Sequence, residues 1–208
     1  MRSEFVQQGK TRWFHLAGFE RRLGKRPAQA FFAFVNGLLS ISLLAALAMW
    51  RDQPLIFPSL GPTAFLLFYT PLAPGASPRN TLFGHLIAVF CGYGSLVLFG
   101  LTDDGPALMT GITEARVGAT ALSLAATAGL MVLFSVEHPP AGATTLIVSL
   151  GILRHPRELV SLMAAVVLLC IQGWVINRLA GIPYPLWRAR PPKQANSEPA
   201  QPPAGSVP

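Results

Sequence analysis

Composition, charge spacing and a repeated motif predict an all-α, polytopic membrane helix bundle with an internal duplication. Mean hydropathy is +0.46 and 12% of residues are charged, against roughly 25% in a typical soluble domain. Six runs lack Asp, Glu, Lys and Arg: 27–50, 53–78, 80–102, 117–136, 139–153 and 159–177, with lengths of 24, 26, 23, 20, 15 and 19 residues. About 20 apolar residues cross the ~30 Å of bilayer hydrocarbon as a helix, so five runs reach or nearly reach that length. The stretch Pro58-Ser59-Leu60-Gly61-Pro62-Thr63 recurs 81 residues later as Pro139-Pro140-Ala141-Gly142-Ala143-Thr144, both reading P-x-x-G-x-T. Pro78-Arg79 recurs as Pro156-Arg157, 78 residues on. Repeated apolar segments interrupted by Gly and Pro point to a transporter-type binding site.

Residues 1–27 form a basic segment. Seven of the 16 Lys and Arg lie in residues 1–26 and four in 178–208, leaving five for the middle. Trp13, Leu16, Phe19 and Leu23 fall at roughly helical spacing, which fits an interfacial amphipathic helix; a disordered basic flank fits equally. The first apolar run is too long for a signal h-region and no small-residue cleavage site follows it, so it reads as a retained span. The net charge of +7 and pI near 10.3 do not read as nucleic-acid binding. The basic residues flank spans and fit anionic headgroups of a lipid bilayer at the cytoplasmic side.

Two halves follow, about 30–101 and 116–179, with one plan: a long span (30–50; 116–136), an interrupted segment carrying the motif (55–72; 138–153), a Pro-Arg turn, and a second long span (81–101; 158–179). The loop 102–115, with Asp103, Asp104 and Glu114, separates them. Residues 181–208, with six prolines in 191–208, are expected to be a disordered cytoplasmic tail. Cys91 and Cys170 lie alone in apolar runs and read as small buried hydrophobes rather than a disulfide or metal ligands.

Topology turns on the interrupted segments. If both cross, there are six spans, the halves are inverted, both termini are cytoplasmic, and Arg154 and Arg157 alone offend the positive-inside tendency. If both are re-entrant, there are four spans. Counting Lys and Arg favours six crossings; the 15-residue run argues for re-entry or a broken helix.

Proline suits the first turn of a helix, where a missing N–H removes an unsatisfied donor. Pro139 and Pro140 stand there, Ser59, Thr63, Thr144 and Thr145 bring hydroxyls, and Gly61 and Gly142 permit close backbone approach. Half-helices beginning near the midplane would aim N–H groups and a positive dipole end at a small anion. Helix contact through small residues selects the same residue types. Arg79 could hold an anion, with Asn80 beside it; Arg157 reads better as a snorkelling flank. His85 and His138 are ionisable groups inside apolar sequence, a functional signal with charge that changes near neutral pH. No H-E-x-x-H, G-x-S-x-G, C-x-x-C or phosphate-binding loop is present, so no enzyme, cofactor or metal site is indicated.

Glu137-His138-Pro139-Pro140-Ala141-Gly142-Ala143-Thr144-Thr145 resembles the defining motif of the HPP family of integral membrane proteins. Ser59-Leu60-Gly61-Pro62-Thr63-Ala64, Pro78-Arg79-Asn80 and Gly84-His85 resemble that family's other motifs in order. The resemblance covers about residues 28–180. It implies a bundle described as having four spans, and members linked to nitrite transport in cyanobacteria and plastids. The combined expectation is a multi-pass carrier or channel for a small inorganic anion, nitrite first, in the bacterial inner membrane, with a homo-oligomer left open. A non-transporting scaffold or sensor is the alternative.

Overall fold

The computed structural model describes residues 15–52 and 55–189. Trp13 and the tail from 190 onward lie outside the described residues. The first helix, α1 (Leu16–Leu23), is short; Gly24, at φ +87°, breaks it from α2 (Lys25–Arg51). Then come α3 (Leu60–Tyr69), a 3-10 turn at Pro74–Ala76, α4 (Pro78–Leu98), the one-turn α5 (Ala107–Thr110), α6 (Glu114–Leu133), α7 (Ala141–Ser149) and α8 (Pro156–Leu179). Among the described residues no strand occurs. Pro78 and Pro156 occupy first-turn positions, as the sequence predicts. Glu158 closes the start of α8 by accepting from the Arg154 and His155 amides at 2.9 and 3.0 Å, and Thr113 caps α6 by accepting from the Arg116 amide.

Four helices (α2, α4, α6 and α8) are long and apolar enough to cross a membrane. Their outward faces carry Phe31, Phe34 and Leu38 on α2, Phe90 and Val97 on α4, Val132 on α6, and Val160 and Ile171 on α8, all exposed. The inward face of α6 carries small and polar residues, Arg116, Ala119, Ser123 and Thr127, whereas that of α8 is largely apolar, with Leu162, Val166 and Leu169 buried. A bundle whose long helices turn large apolar side chains outward is built for lipid.

The short helices set the path. Ten residues in α3 and nine in α7 span about 15 and 13 Å at 1.5 Å per residue, half a bilayer. One end of the bundle gathers the start of α1, the start of α4, and the ends of α6 and α8. The Leu16 amide donates to the Ala180 carbonyl (3.0 Å), the Arg79 amide to Trp187 (3.1 Å), and the Arg79 guanidinium to Phe134 and Ser135. The opposite end gathers the end of α7 and the starts of α6 and α8. The Ala107 amide donates to Leu150, Arg116 to Ser149 and Gly105, and Arg154 to Asp104.

Helix α2 starts beside Ile176, Leu179 and Ala180 and runs to the opposite end. The chain returns through buried Leu55 and Phe57 into α3, whose last turns meet Asn177 (Asn177 Nδ2 to the Leu67 carbonyl, 3.0 Å) and Phe32. After α6, Ser135 at φ +51° reverses the chain. Residues 136–140 then run inward and α7 completes the pass. The two interrupted segments, 55–72 and 138–153, are each an extended stretch joined to a half-helix, α3 and α7.

Residues 181–187, expected to be tail, fold back onto this end. Tyr184 is buried with its hydroxyl donating to the Ala76 carbonyl, and Trp187 meets Phe83 edge-on. An aromatic residue among the prolines was the available signal. Cys91 and Cys170 are free thiols, Cys170 buried.

Candidate functional site

His85 sits seven residues after Pro78 in α4, roughly 10 Å in from that end. Its Nε2 lies 3.0 Å from Thr63 Oγ1 in the first turn of α3, and its Nδ1 lies 2.8 Å from Thr144 Oγ1 in the first turn of α7. The threonines of the two P-x-x-G-x-T copies therefore meet on one imidazole. His138, just before α7, completes the cluster: its Nε2 is 3.2 Å from His85 Nε2 and 3.4 Å from Thr63 Oγ1. Its Nδ1 is 2.7 Å from the Gly75 carbonyl oxygen. Thr63, His85 and Thr144 are 0% exposed and His138 is 1%.

The neighbours hold this cluster in place. Thr63 donates to the Ser59 carbonyl (3.0 Å), and Thr145 shares a hydrogen bond with Thr127 of α6 (2.8 Å) while reaching the Ala141 carbonyl (3.3 Å). The Ser59 hydroxyl is buried with no partner among the described residues, an open group at the α3 break. A cavity of about 400 Å³ reaches His138 from the end that holds Arg79; Asn80, Ser135, Glu137 and Pro139 line it. Two histidines and two threonines form a polar site in apolar surroundings, without the three or more His, Cys, Asp or Glu side chains that a metal ion would need among the described residues.

Several expectations need correcting. Gly61 meets nothing within 4 Å of where a Cβ would stand, and Gly142 meets Leu124 Cδ1 only at an ordinary 3.7 Å. Close approach belongs to α4 instead: a Cβ on Gly84 would lie 2.7 Å from His138 Cβ, and one on Gly92 would lie 2.8 Å from Val148 Cβ. Free backbone donors at α7 are also fewer than expected. The Ala141, Gly142 and Ala143 amides donate to the His138, Pro139 and Pro140 carbonyls at 3.0–3.1 Å, because the tight turn satisfies them locally.

Arg79 does not join the histidines. Its guanidinium donates to the Phe134 and Ser135 carbonyls at the end of α6 and to Asn80 Oδ1, a cation at a helix C-terminus. Asn80 in turn donates to the Glu137 carbonyl at 3.4 Å, which fixes the chain beside His138. Arg157 is exposed at the opposite end. Sequence reasoning missed Arg116, which is 2% exposed and donates to Ser149 at the end of α7. It borders an apolar run and so passed as a boundary charge; its phase with Ala119, Ser123 and Thr127 was the signal.

Four membrane-length apolar helices and a buried polar centre define a multi-pass membrane protein. The chain belongs to the HPP transmembrane family, whose HPP transmembrane region matches residues 23–185. It is similar to a Dictyostelium discoideum protein described as a transmembrane protein, 25% identical over 163 residues. That match covers 76% of this chain and 54% of the relative, so the chain spans about half the length of that protein. No solved structure matches.

Proposed function

We propose that the chain forms a pathway for a small monovalent anion, with nitrite as first candidate, and that the anion is held where the two half-helices meet. The observation that carries this reading is the link Thr63–His85–Thr144, with both contacts at 3.0 Å or less. Two broken passes that start at one depth, with their positive dipole ends near a titratable pair, make a favourable place for negative charge. The cavity that reaches His138 supports access from one end. The family resemblance supplies nitrite. The half-helices act through their dipoles and hydroxyls, since the first α7 amides are already bonded. No catalysis is assigned.

An inverted duplication accompanies this reading. The contact of Gly92 with Val148 has a counterpart in that of Gly173 with Leu67 (3.1 Å from the built Cβ), and each residue of one pair lies 81 positions from its equivalent in the other, the spacing of the motifs. His85 has no histidine counterpart in α8, so the site itself is asymmetric. The basic terminal segments favour placing both ends of the chain in the cytoplasm of a bacterial cell.

A second reading, a non-transporting scaffold or sensor, draws on the internal bonding of both imidazoles, which gives the cluster a purely structural use. Uptake of labelled nitrite into proteoliposomes separates the two. Accumulation above protein-free vesicles supports the pathway, and none supports the scaffold.

A further inference from the structure

Resting on that anion-pathway reading, we propose that the His85–His138 pair is a one-proton site and that each anion crosses together with the proton the pair takes up. The argument is a count of hydrogens. A carbonyl only accepts, so His138 Nδ1, 2.7 Å from the Gly75 oxygen, carries a proton, and the neutral ring turns the lone pair of Nε2 toward His85 Nε2 at 3.2 Å. The neutral pair is already fully bonded: His138 Nδ1–H donates to Gly75, His85 Nε2–H donates toward His138 Nε2 and Thr63 Oγ1, and the Thr144 hydroxyl donates to His85 Nδ1 at 2.8 Å. One added proton is accommodated at His85 Nδ1, with Thr144 Oγ1 turned from donor to acceptor. A second added proton would set two N–H groups against each other, with Thr63 Oγ1 as the acceptor they share.

The charges around the pair point the same way. Among the described residues, Arg79 is turned to carbonyls of α6, and Arg116 and Glu114 lie at the opposite end of the bundle. Helix α8 presents the Cys170 thiol to α4 near Thr81, and the following segment presents the Tyr184 hydroxyl, which is bound to Ala76. Neither is a cation. Helices α3 and α7 bring hydroxyls alone to the pair. Glu137 is exposed and lines the cavity leading to His138; its carboxylate opposes a bare anion at the mouth and offers protons a stepping stone. A buried anion without a counter-charge is costly, and the added proton is the positive charge this site has to offer. The proton comes from the aqueous phase at the Glu137 end, binds the imidazole pair at the ring nitrogen that Thr144 faces, and leaves with the anion. No bond other than N–H is made or broken on the protein.

The test uses the full chain in proteoliposomes, with nitrite as probe, potassium and valinomycin setting the membrane potential, and protein-free vesicles as the leak control. An inward proton gradient of one pH unit should drive nitrite to about tenfold accumulation. The rate should exceed the leak, be indifferent to the potential, and be matched by one proton per anion in the lumen. His85→Gln and His138→Gln should lose the gradient-driven component. Uptake driven by potential without acidification of the lumen overturns the proposal and leaves the anion pathway standing; uptake of no anion under any gradient overturns the pathway itself. Nitrogen-15 NMR of histidine-labelled wild-type protein gives a readout that does not depend on the variants folding. One proton bound by the two rings together on acidification supports the proposal, and two bound independently refutes it.

Discussion

Gly84 of α4 and His138 touch so closely that a methyl group on the glycine would stand 2.7 Å from the histidine Cβ. The absence of a side chain at 84 lets the chain before α7 lie against α4, and that contact brings the two imidazoles to 3.2 Å. Gly84→Ala is therefore expected to push His138 away from His85, cost about 1–3 kcal/mol, and lower nitrite uptake. Gly142→Ala, next to an ordinary 3.7 Å contact, is expected to be near neutral. Thermal unfolding in detergent and vesicle uptake check both, and equal sensitivity of the two sites would contradict the geometry.

Gly92 makes the second close crossing of α4 with α7, where a Cβ would meet Val148 Cβ at 2.8 Å and the Thr145 carbonyl at 3.1 Å. Gly92→Ala should destabilise. Combining it with Val148→Ala should recover part of the loss, because the shortened side chain clears the Cβ contact but not the backbone one. A double variant no more stable than Gly92→Ala alone would place the strain elsewhere.

How far this was legible in the sequence differs from residue to residue. The motif spacing located both helix breaks, because proline at a first turn has a local cause that a sequence displays. Thr63, His85, His138 and Thr144, chosen for chemistry, do converge. The glycines were misjudged because their role depends on which side of a helix meets a neighbour. Helix α4 is apolar nearly all round, so its sequence carries no phase that singles out Gly84 or Gly92 over Gly94, which faces open space. Arg79 was misread for a related reason: the carbonyls it caps belong to residues 134 and 135, more than 50 positions away.

Thr63→Val and Thr144→Val keep shape and remove a hydroxyl from His85. Each is expected to cost about 0.5–1.5 kcal/mol, while Thr→Ser at either position should restore uptake because it restores the hydroxyl. Rescue by Val as good as by Ser would make the threonines packing residues only.

Opposite placement of the two Pro-Arg turns makes the topology testable. Cysteines at Arg79 and at Arg157 should be labelled from opposite sides of the membrane, and cysteines at positions 5 and 200 from the same side as 79, the cytoplasm. Labelling of 79 and 157 from one side would remove the inverted arrangement.

Protonation adds positive charge where the anion is held, so uptake should rise as pH falls, until the protein unfolds. His138→Gln keeps a hydrogen-bonding group but cannot titrate, and a flattened profile is expected. An unchanged profile would assign His138 a structural role and leave His85 as the titrating residue.

The central claim is that an anion passes the meeting point of the two half-helices at His85. Uptake of labelled nitrite, formate, nitrate and chloride into vesicles holding the purified chain tests it most directly, with His85→Gln in parallel at equal reconstitution. The account predicts saturable uptake of nitrite above protein-free vesicles, reduced at least about tenfold in the variant, the equivalent of about 1.4 kcal/mol. Uptake of none of the four anions, or nitrite uptake untouched by the loss of His85, would contradict it.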